Sequence, residues 1–415
     1  MEFIVKTIKI PWALWREPEF LDLTFPESWK VAVCRMNNAP DLSDNEIRNG
    51  VLTPIGSQNL SEIAKGKKNA VIVVDDTTRN TPVSRVIPYV IEELIGSGIT
   101  KENITILLAL GAHRPMTKRD CILKLGKKIC ETINIENHHP YENLTHAGES
   151  KLGTPIDINT TYYNAELKIS LGGVIPHPLA GFGGGAKIVL PGVCGIRTLE
   201  SNHSAPTRLG ISSGIGEITE LRKDIEDIAG MVGLDYSINV VLTEDGGIAG
   251  VFSGHFIQAH RKAVELCQNV YKTKITQFDN DICFFNLYPE DSELNQSGKG
   301  FNFIRMAPRN LLSFKNGTIV LTSSSHEGRG YHSLLAETGA KLYNDPKKQK
   351  FPFRIFYFSP NISEQDLYHF YPKEMKLFND WDKLIEELKN IYKEEAKVTI
   401  IPTSIQIPEI TRKNQ

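Results

Sequence analysis

The stretch "NAVIVVDDTTRNTPVSRVIPYVIEELIGSG", residues 69–98, followed by "ITILLALG" at 104–111, decides the fold class. Its opening run is apolar, rich in β-branched residues and closed by two acids. That is the form of a parallel strand buried on both faces and ending at its C-terminal edge. The continuation predicts a helix, with Thr81 as N-cap, Pro82 at the first helical position and Gly96 at the stop. Val86, Ile87, Val90, Ile91, Leu94 and Ile95 fall on one helical stripe. The second apolar run then completes a strand–helix–strand unit, the repeating element of doubly wound α/β domains.

The same grammar extends in both directions. "MTKRDCILKLGKK" and "EITELRKDIEDIAGMVG" predict helices, and "AELKISLGG" (165–173) predicts a strand feeding a glycine-rich loop. "SINVVLTEDGGIAGVFSG" predicts two strands around a turn at Asp245-Gly246-Gly247. Further buried-strand runs, "DICFFNLYP", "GTIVLTSSS", "FRIFYFSP" and "KVTIIPTS", make a second α/β unit, with "DWDKLIEELKNIYKEEA" as a helix before the last. The expected architecture is two α/β domains with mainly parallel sheets and the active site in the interdomain crevice. Residues 1–271 form the first domain in this reading, 272–280 a hinge and 281–402 the second, with 403–415 able to return to the first.

Composition narrows the function. The 415 residues are 40% hydrophobic and 23% charged, with a net charge of −2. Such a chain offers no broad cationic field, so nucleic acid and acidic membrane surfaces are not expected partners. The start, "MEFIVKTIKIPWALW", has no signal-peptide pattern, and no apolar run reaches the roughly 18 residues of a membrane span. The six cysteines are scattered without a CxxC pair, which suggests a reduced, cytoplasmic setting.

Three polar clusters follow predicted strands: "DDTTR" (75–79), "GAHRPMT" (111–117) and "GGVIPHPLAGFGGGAK" (172–187). Ligands of open α/β sheets bind at the C-terminal strand ends, so these loops plausibly line one crevice. The third is the most telling, because Gly181, Gly183, Gly184 and Gly185 crowd just before Lys187. It is not a Walker loop, since Ala186 and Ile188 flank the lysine. Nor does it open a Rossmann helix, because the strand-like "IVLPG" follows. A lysine after glycines also suits a Schiff base with pyridoxal phosphate. His113, His177 and His203 could instead hold zinc in a hydrolase, although no HExxH or HxH supplies a close ligand pair. A third alternative is a non-catalytic protein whose loop cradles a nucleotide phosphate.

Taken together, "DDTTR", "GAHR" and "HPLAGFGGGAKIVLPG…TLESNH" resemble the nickel-pincer lactate racemase family of 2-hydroxyacid racemases and epimerases, across the whole chain. The resemblance implies that Lys187 carries a nickel-pincer nucleotide, a pyridinium-3-thioamide-5-thiocarboxylic acid mononucleotide with Ni2+, and that cofactor-biosynthesis proteins are partners. It further implies that His203 completes the nickel coordination and that His113 and His177 are the acid/base pair. Asp76, Arg79, Gly183, Gly184 and Gly185 would contact the cofactor, with Arg79 also anchoring the substrate carboxylate. In "NQSGK" (295–299), Gln296 and Lys299 match substrate-facing residues. Asn295 departs from the tyrosine of the family's lactate enzyme, and suggests a larger or more polar 2-hydroxyacid such as malate or a sugar acid.

The implied chemistry suits these residue types. Removing hydride from C2 gives a flat 2-oxoacid, and its return to either face inverts the centre. The hydroxyl proton must leave with the hydride, and an imidazole has a pKa near working pH for taking it. Nickel favours imidazole and sulfur donors, and arginine can hold a carboxylate bidentately.

Overall fold

The computed structural model describes residues 5–298, 301–313, 317–344 and 350–409. Two compact units emerge: residues 38–270, and the described residues up to Asn37 together with those from Tyr271 onward.

The 38–270 unit is built on a seven-stranded sheet whose centre is the predicted strand–helix–strand motif. Strand Ala70–Asp75 lies between the parallel strands Leu167–Gly173 and Ile104–Ala109. All six of its residues are buried, which is why the run reads as continuously apolar. Strand Asn134–Asn137 extends the sheet beyond Ile104–Ala109. On the other side Tyr236–Leu242 runs parallel to Leu167–Gly173, and Ile248–Gly254 returns antiparallel to it, as the turn at Asp245–Gly247 predicts.

Local details differ from the sequence expectation. Thr81 does not cap the first helix; its hydroxyl donates to Asp75 Oδ2 at 2.6 Å instead. A short 3-10 turn, Val83–Arg85, intervenes, and the helix runs over Ile87–Gly96. Val86, Ile87, Val90, Ile91 and Leu94 are buried as the stripe requires, whereas Ile95 is 39% exposed. The strand-like "IVLPG" is also not a strand: Gly185–Ile188 forms a 3-10 turn that continues into further turns. Its apolar side chains are buried without a ladder, so their burial, not their pairing, explains the composition.

The second unit has a six-stranded sheet, parallel throughout, in the order Lys376–Phe378, Arg354–Phe358, Thr318–Thr322, Ile282–Asn286, Lys397–Ile401, Lys30–Val33. Alternation along Ile282–Asn286 sends Ile282 and Phe284 to one core and Cys283 and Phe285 to the other. The first core includes Ile10, Leu23 and Phe25, from an antiparallel hairpin of Val5–Pro11 and Phe20–Pro26, and Trp29 just after it.

Two expected boundaries are thereby corrected. The described residues up to Asn37 belong with the C-terminal unit, because Lys30–Val33 supplies its edge strand and the hairpin covers one face. The described residues beyond 402 stay there as well, since Ile407–Pro408 pairs with Lys272–Thr273 inside the expected hinge. The division falls at Val270/Tyr271, just before that segment. Among the described residues no helix is long and apolar enough to cross a membrane.

One buried histidine ties strand ends together and carries a pH signature. His138 is 1% exposed; its Nε2 donates to Cys194 O at 2.9 Å, and its Nδ1 accepts from Asn159 Nδ2 at 3.4 Å. Burial lowers its pKa to about 4, against the opposing pull of the Cys194 carbonyl. The unfolded chain therefore binds a proton that the folded chain refuses, so stability falls as pH drops from about 6.5 toward about 4. The share of this one group is on the order of 3 kcal/mol at the acid end. His138→Gln keeps an amide donor for Cys194 O and has no proton to gain. Its thermal midpoint is expected to fall less between pH 7 and pH 4.5 than the wild type's; equal falls would disprove the assignment.

Candidate active site

The three polar clusters stand side by side, because the strands that precede them are adjacent and parallel. In the first cluster Asp76 is 4% exposed. Its Oδ2 lies 2.6 Å from His113 Nδ1, while its Oδ1 accepts from Thr78 N at 3.1 Å and Thr78 Oγ1 at 2.6 Å. A carboxylate only accepts, so His113 carries a proton on Nδ1, and in the neutral ring Nε2 is the acceptor nitrogen. Burial alone would raise the Asp76 pKa. The His113 ring outweighs it, with Arg79 and Thr78 adding, and holds the carboxyl well below the usual carboxylate range.

Arg79 donates through Nη1 to Thr78 O at 3.0 Å and to Thr78 Oγ1 at 2.9 Å. Arg114, by contrast, pairs with Asp120 at 2.8 Å beside the capping box of helix Lys118–Leu125. It anchors the helix start, and His113 alone turns to the site.

Sequence reading missed what supports this loop. Lys124 is fully buried and lies 2.6 Å from Asp75 Oδ1, and its Nζ also donates to Arg79 O at 2.9 Å. Asp75 Oδ2 in turn accepts from Gly173 N at 2.9 Å, joining the first loop to the third. The available signal was a lysine sharing the inward face of its helix with Cys121 and Leu125. Lys124→Met would leave Asp75 as a buried charge without its ammonium, a change that costs about 3–5 kcal/mol. At about 2–4 °C per kcal/mol for a unit of this size, the thermal midpoint is expected to drop by roughly 6–20 °C. A drop under about 2 °C would show the pair to be dispensable.

The glycine loop begins with His177, whose residue pairs antiparallel with Gly181. His177 Nδ1 accepts from Leu179 N and Ala180 N, each at 3.2 Å, so the proton of the neutral ring sits on Nε2. The two histidines therefore present opposite functions, an acceptor at His113 and a donor at His177. Gly184 has φ +72° and Gly185 φ +56°, backbone that side chains resist. A Cβ on Gly184 would also meet Val174 Cγ2 at 2.5 Å. Directly afterwards the 3-10 turn sets half-buried Lys187 between buried Ala186 and Ile188.

His203 lies on helix Ile196–Leu209. Its Nδ1 donates to Leu199 O at 2.8 Å, which leaves Nε2 unprotonated. Burial lowers its pKa to about 4, with Lys187 and His113 adding their charge. That coupling brings His113, Lys187 and His203 into one electrostatic neighbourhood. Among the described residues no group of three His, Cys, Asp or Glu side chains is arranged to hold a metal ion. The three histidines considered for zinc do not assemble. What this chain offers is one neutral imidazole beside a lysine, a donor set that fits a metal whose remaining ligands arrive on an organic group joined to that lysine.

In the other unit Asn295 and Gln296 lie on the short helix Leu294–Ser297, after strand Ile282–Asn286. Both amides approach one buried carboxylate oxygen, Glu293 Oε1, at 3.4 Å and 3.2 Å. Lys299 lies outside the described residues.

A mainly parallel α/β sheet whose following loops carry a lysine and histidines has the make-up of a small-molecule enzyme. The resemblance to the lactate racemase family is borne out: residues 17–213 match the lactate racemase N-terminal domain. A lactate racemase of Lactiplantibacillus plantarum is 29% identical over 88% of this chain and 91% of its own length. One from Thermoanaerobacterium thermosaccharolyticum is 28% identical over 72% of this chain and 70% of its own. The solved apoprotein of the lactate racemase from T. thermosaccharolyticum superposes with a TM-score of 0.75 at 22% identity, covering 98% of this chain and all of that one. A Thermotoga maritima protein gives 0.67 at 20% identity, over 90% of this chain. Both likenesses concern the fold.

Proposed function

We propose that the protein is a 2-hydroxyacid racemase or epimerase that works with a nickel-pincer nucleotide joined to Lys187. The observation that carries the reading is that Lys187 and His113 both act electrostatically on the neutral His203 imidazole, while the loops bearing His113 and Lys187 follow parallel strands of one sheet. The match to lactate racemases along most of the chain favours catalysis over a phosphate-cradling scaffold.

When bound, the nickel-pincer nucleotide supplies a hydride acceptor for the C2 hydrogen of the substrate. Lys187 and His203 Nε2 would hold it, the first covalently and the second at the metal, with Asp76, Arg79 and the glycine loop alongside. Arg79 binds the substrate carboxylate. His113 Nε2 takes the hydroxyl proton, while Asp76 keeps the ring in the tautomer that permits this. His177 donates its Nε2 proton toward the oxygen of the planar 2-oxoacid. The resemblance gives Asn295, Gln296 and Lys299 as substrate residues of the other unit, and Asn295 in place of the family's tyrosine favours a substrate carrying further hydroxyls.

The reading is tested with protein made in a cell that also synthesises the cofactor. Expected are an added mass on the peptide containing Lys187, stoichiometric nickel, and racemisation or epimerisation within a panel of lactate, malate and sugar acids. Nickel-loaded, modified protein that inverts none of them would overturn the activity. Better turnover of lactate than of every more polar acid would overturn the substrate reading.

A further inference from the structure

Behind the glycine loop lies a cluster of buried charge that the reaction above leaves unused. Helix Glu220–Met231 contributes Arg222 and Glu226, and helix Gln258–Val270 contributes His260 and Arg261. Arg222 is fully buried, and its Nε donates to Glu226 Oε1 at 2.8 Å. Arg261 grips both Glu226 oxygens at 2.7 Å. Three further donors of Arg222 and His260 point at the loop. Arg222 Nη1 reaches Phe182 O at 3.3 Å, His260 Nε2 reaches Gly183 O at 2.9 Å, and Arg222 Nη2 reaches Gly184 O at 3.1 Å.

Consecutive carbonyls turned to one side are not the habit of a strand, where they alternate. They need donors fixed on that side, and the cluster is fixed. His260 Nδ1 accepts from Arg261 Nη1 at 3.0 Å, which keeps the ring proton on Nε2. Burial holds the ring neutral, its pKa well below the ordinary histidine value. Gly185 must be glycine here, since a Cβ would come within 2.9 Å of Arg222 Nη2 and 3.1 Å of the His260 ring. The decisive contact is Gly184 O, which accepts from Arg222 and also from Lys187 N at 3.1 Å. The carbonyl that starts the lysine's turn is the one the arginine holds.

We propose that Arg222 and His260 are positioning residues for Lys187, holding the carbonyls of residues 182–184 so that its amine stands where the cofactor is joined. The inference rests on the proposed function for what is joined, though not for the geometry. Attachment forms a C–N bond between Nζ and a thiocarboxylic acid carbon, with loss of water and retention of the sulfur as a thioamide.

Two readouts separate the inference from the functional reading. In protein made with the cofactor pathway, the fraction of folded chains modified at Lys187 is measured by intact and peptide mass. Arg222→Gln and His260→Leu are expected to lower it at least tenfold, whereas His260→Gln, with an amide donor near the Nε2 position, stays within twofold of wild type. In apoprotein, the labelling rate of Lys187 by trinitrobenzenesulfonate, relative to the other lysines, should shift at least threefold in His260→Leu and match wild type in His260→Gln. Should Arg222→Gln fail to fold, the two His260 variants decide. Unchanged Lys187 labelling in folded His260→Leu, or equal behaviour of the Leu and Gln variants, overturns the positioning role. Wild-type protein that labels as expected yet never gains cofactor mass supports the positioning role and overturns only the functional reading.

Discussion

Lys187→Ala is expected to leave a folded protein that inverts no 2-hydroxyacid, a loss on the order of 10⁶-fold or more, since the whole acceleration goes with the cofactor. The fold should survive because Lys187 is the half-buried member of its 3-10 turn, while Ala186 and Ile188 supply the turn's buried side chains. The turn's backbone bond, Lys187 N to Gly184 O, is indifferent to the side chain. Lys187→Arg sharpens the test. It keeps a cation beside His203 but lacks the primary amine, so electrostatics alone would preserve activity, whereas a covalent role predicts the same loss as alanine. The mass of the 187 peptide should be unmodified in both variants. Retention of even a hundredth of wild-type turnover by either would remove Lys187 from the centre of the reaction.

The parts of this arrangement that were legible in the sequence share a physical cause. A parallel strand buried on both faces must be apolar along its length, so "AVIVVD" announces itself, and polar residues right after it fall at the strand's C-terminal edge. That placed Asp76, His113 and the glycine loop together, and the resemblance supplied the roles proposed for Lys187 and His203. The partnership of Lys30–Val33 with Lys397–Ile401 was not legible, because a pairing between distant segments leaves no local periodicity. The cluster beneath the loop was hidden for a different reason. Periodicity marks the segment of Arg222 and Glu226 only as a helix, and it is the approach of Arg261 and the loop carbonyls that makes the burial of these charges tolerable. "IVLPG" misled because apolar side chains record burial, which a 3-10 turn can provide as well as a strand.

Asp76→Asn should cost about 10²–10⁴-fold in turnover while leaving cofactor attachment intact, the scale on which a positioned base contributes. The direction of the effect follows from the hydrogen bonds on the far side of the carboxylate. Thr78 N and Thr78 Oγ1 both donate to Oδ1, so an asparagine at 76 keeps its carbonyl oxygen there and turns its NH2 toward His113. An NH2 at the place of Oδ2 can only donate. The His113 Nδ1 must then accept, its proton moves to Nε2, and the nitrogen proposed to take the hydroxyl proton no longer can. His113→Gln removes the base outright, and because the two residues act as a unit the double variant should be little worse than either single one. Asp76→Asn should also change acid stability. The depressed Asp76 carboxyl contributes stability that is present above the ordinary carboxylate range and is lost as pH falls through and below it, and the variant lacks that limb. A variant with wild-type turnover would show that the ring's tautomer is set elsewhere. Losses that simply multiply in the double variant would show that Asp76 and His113 act separately.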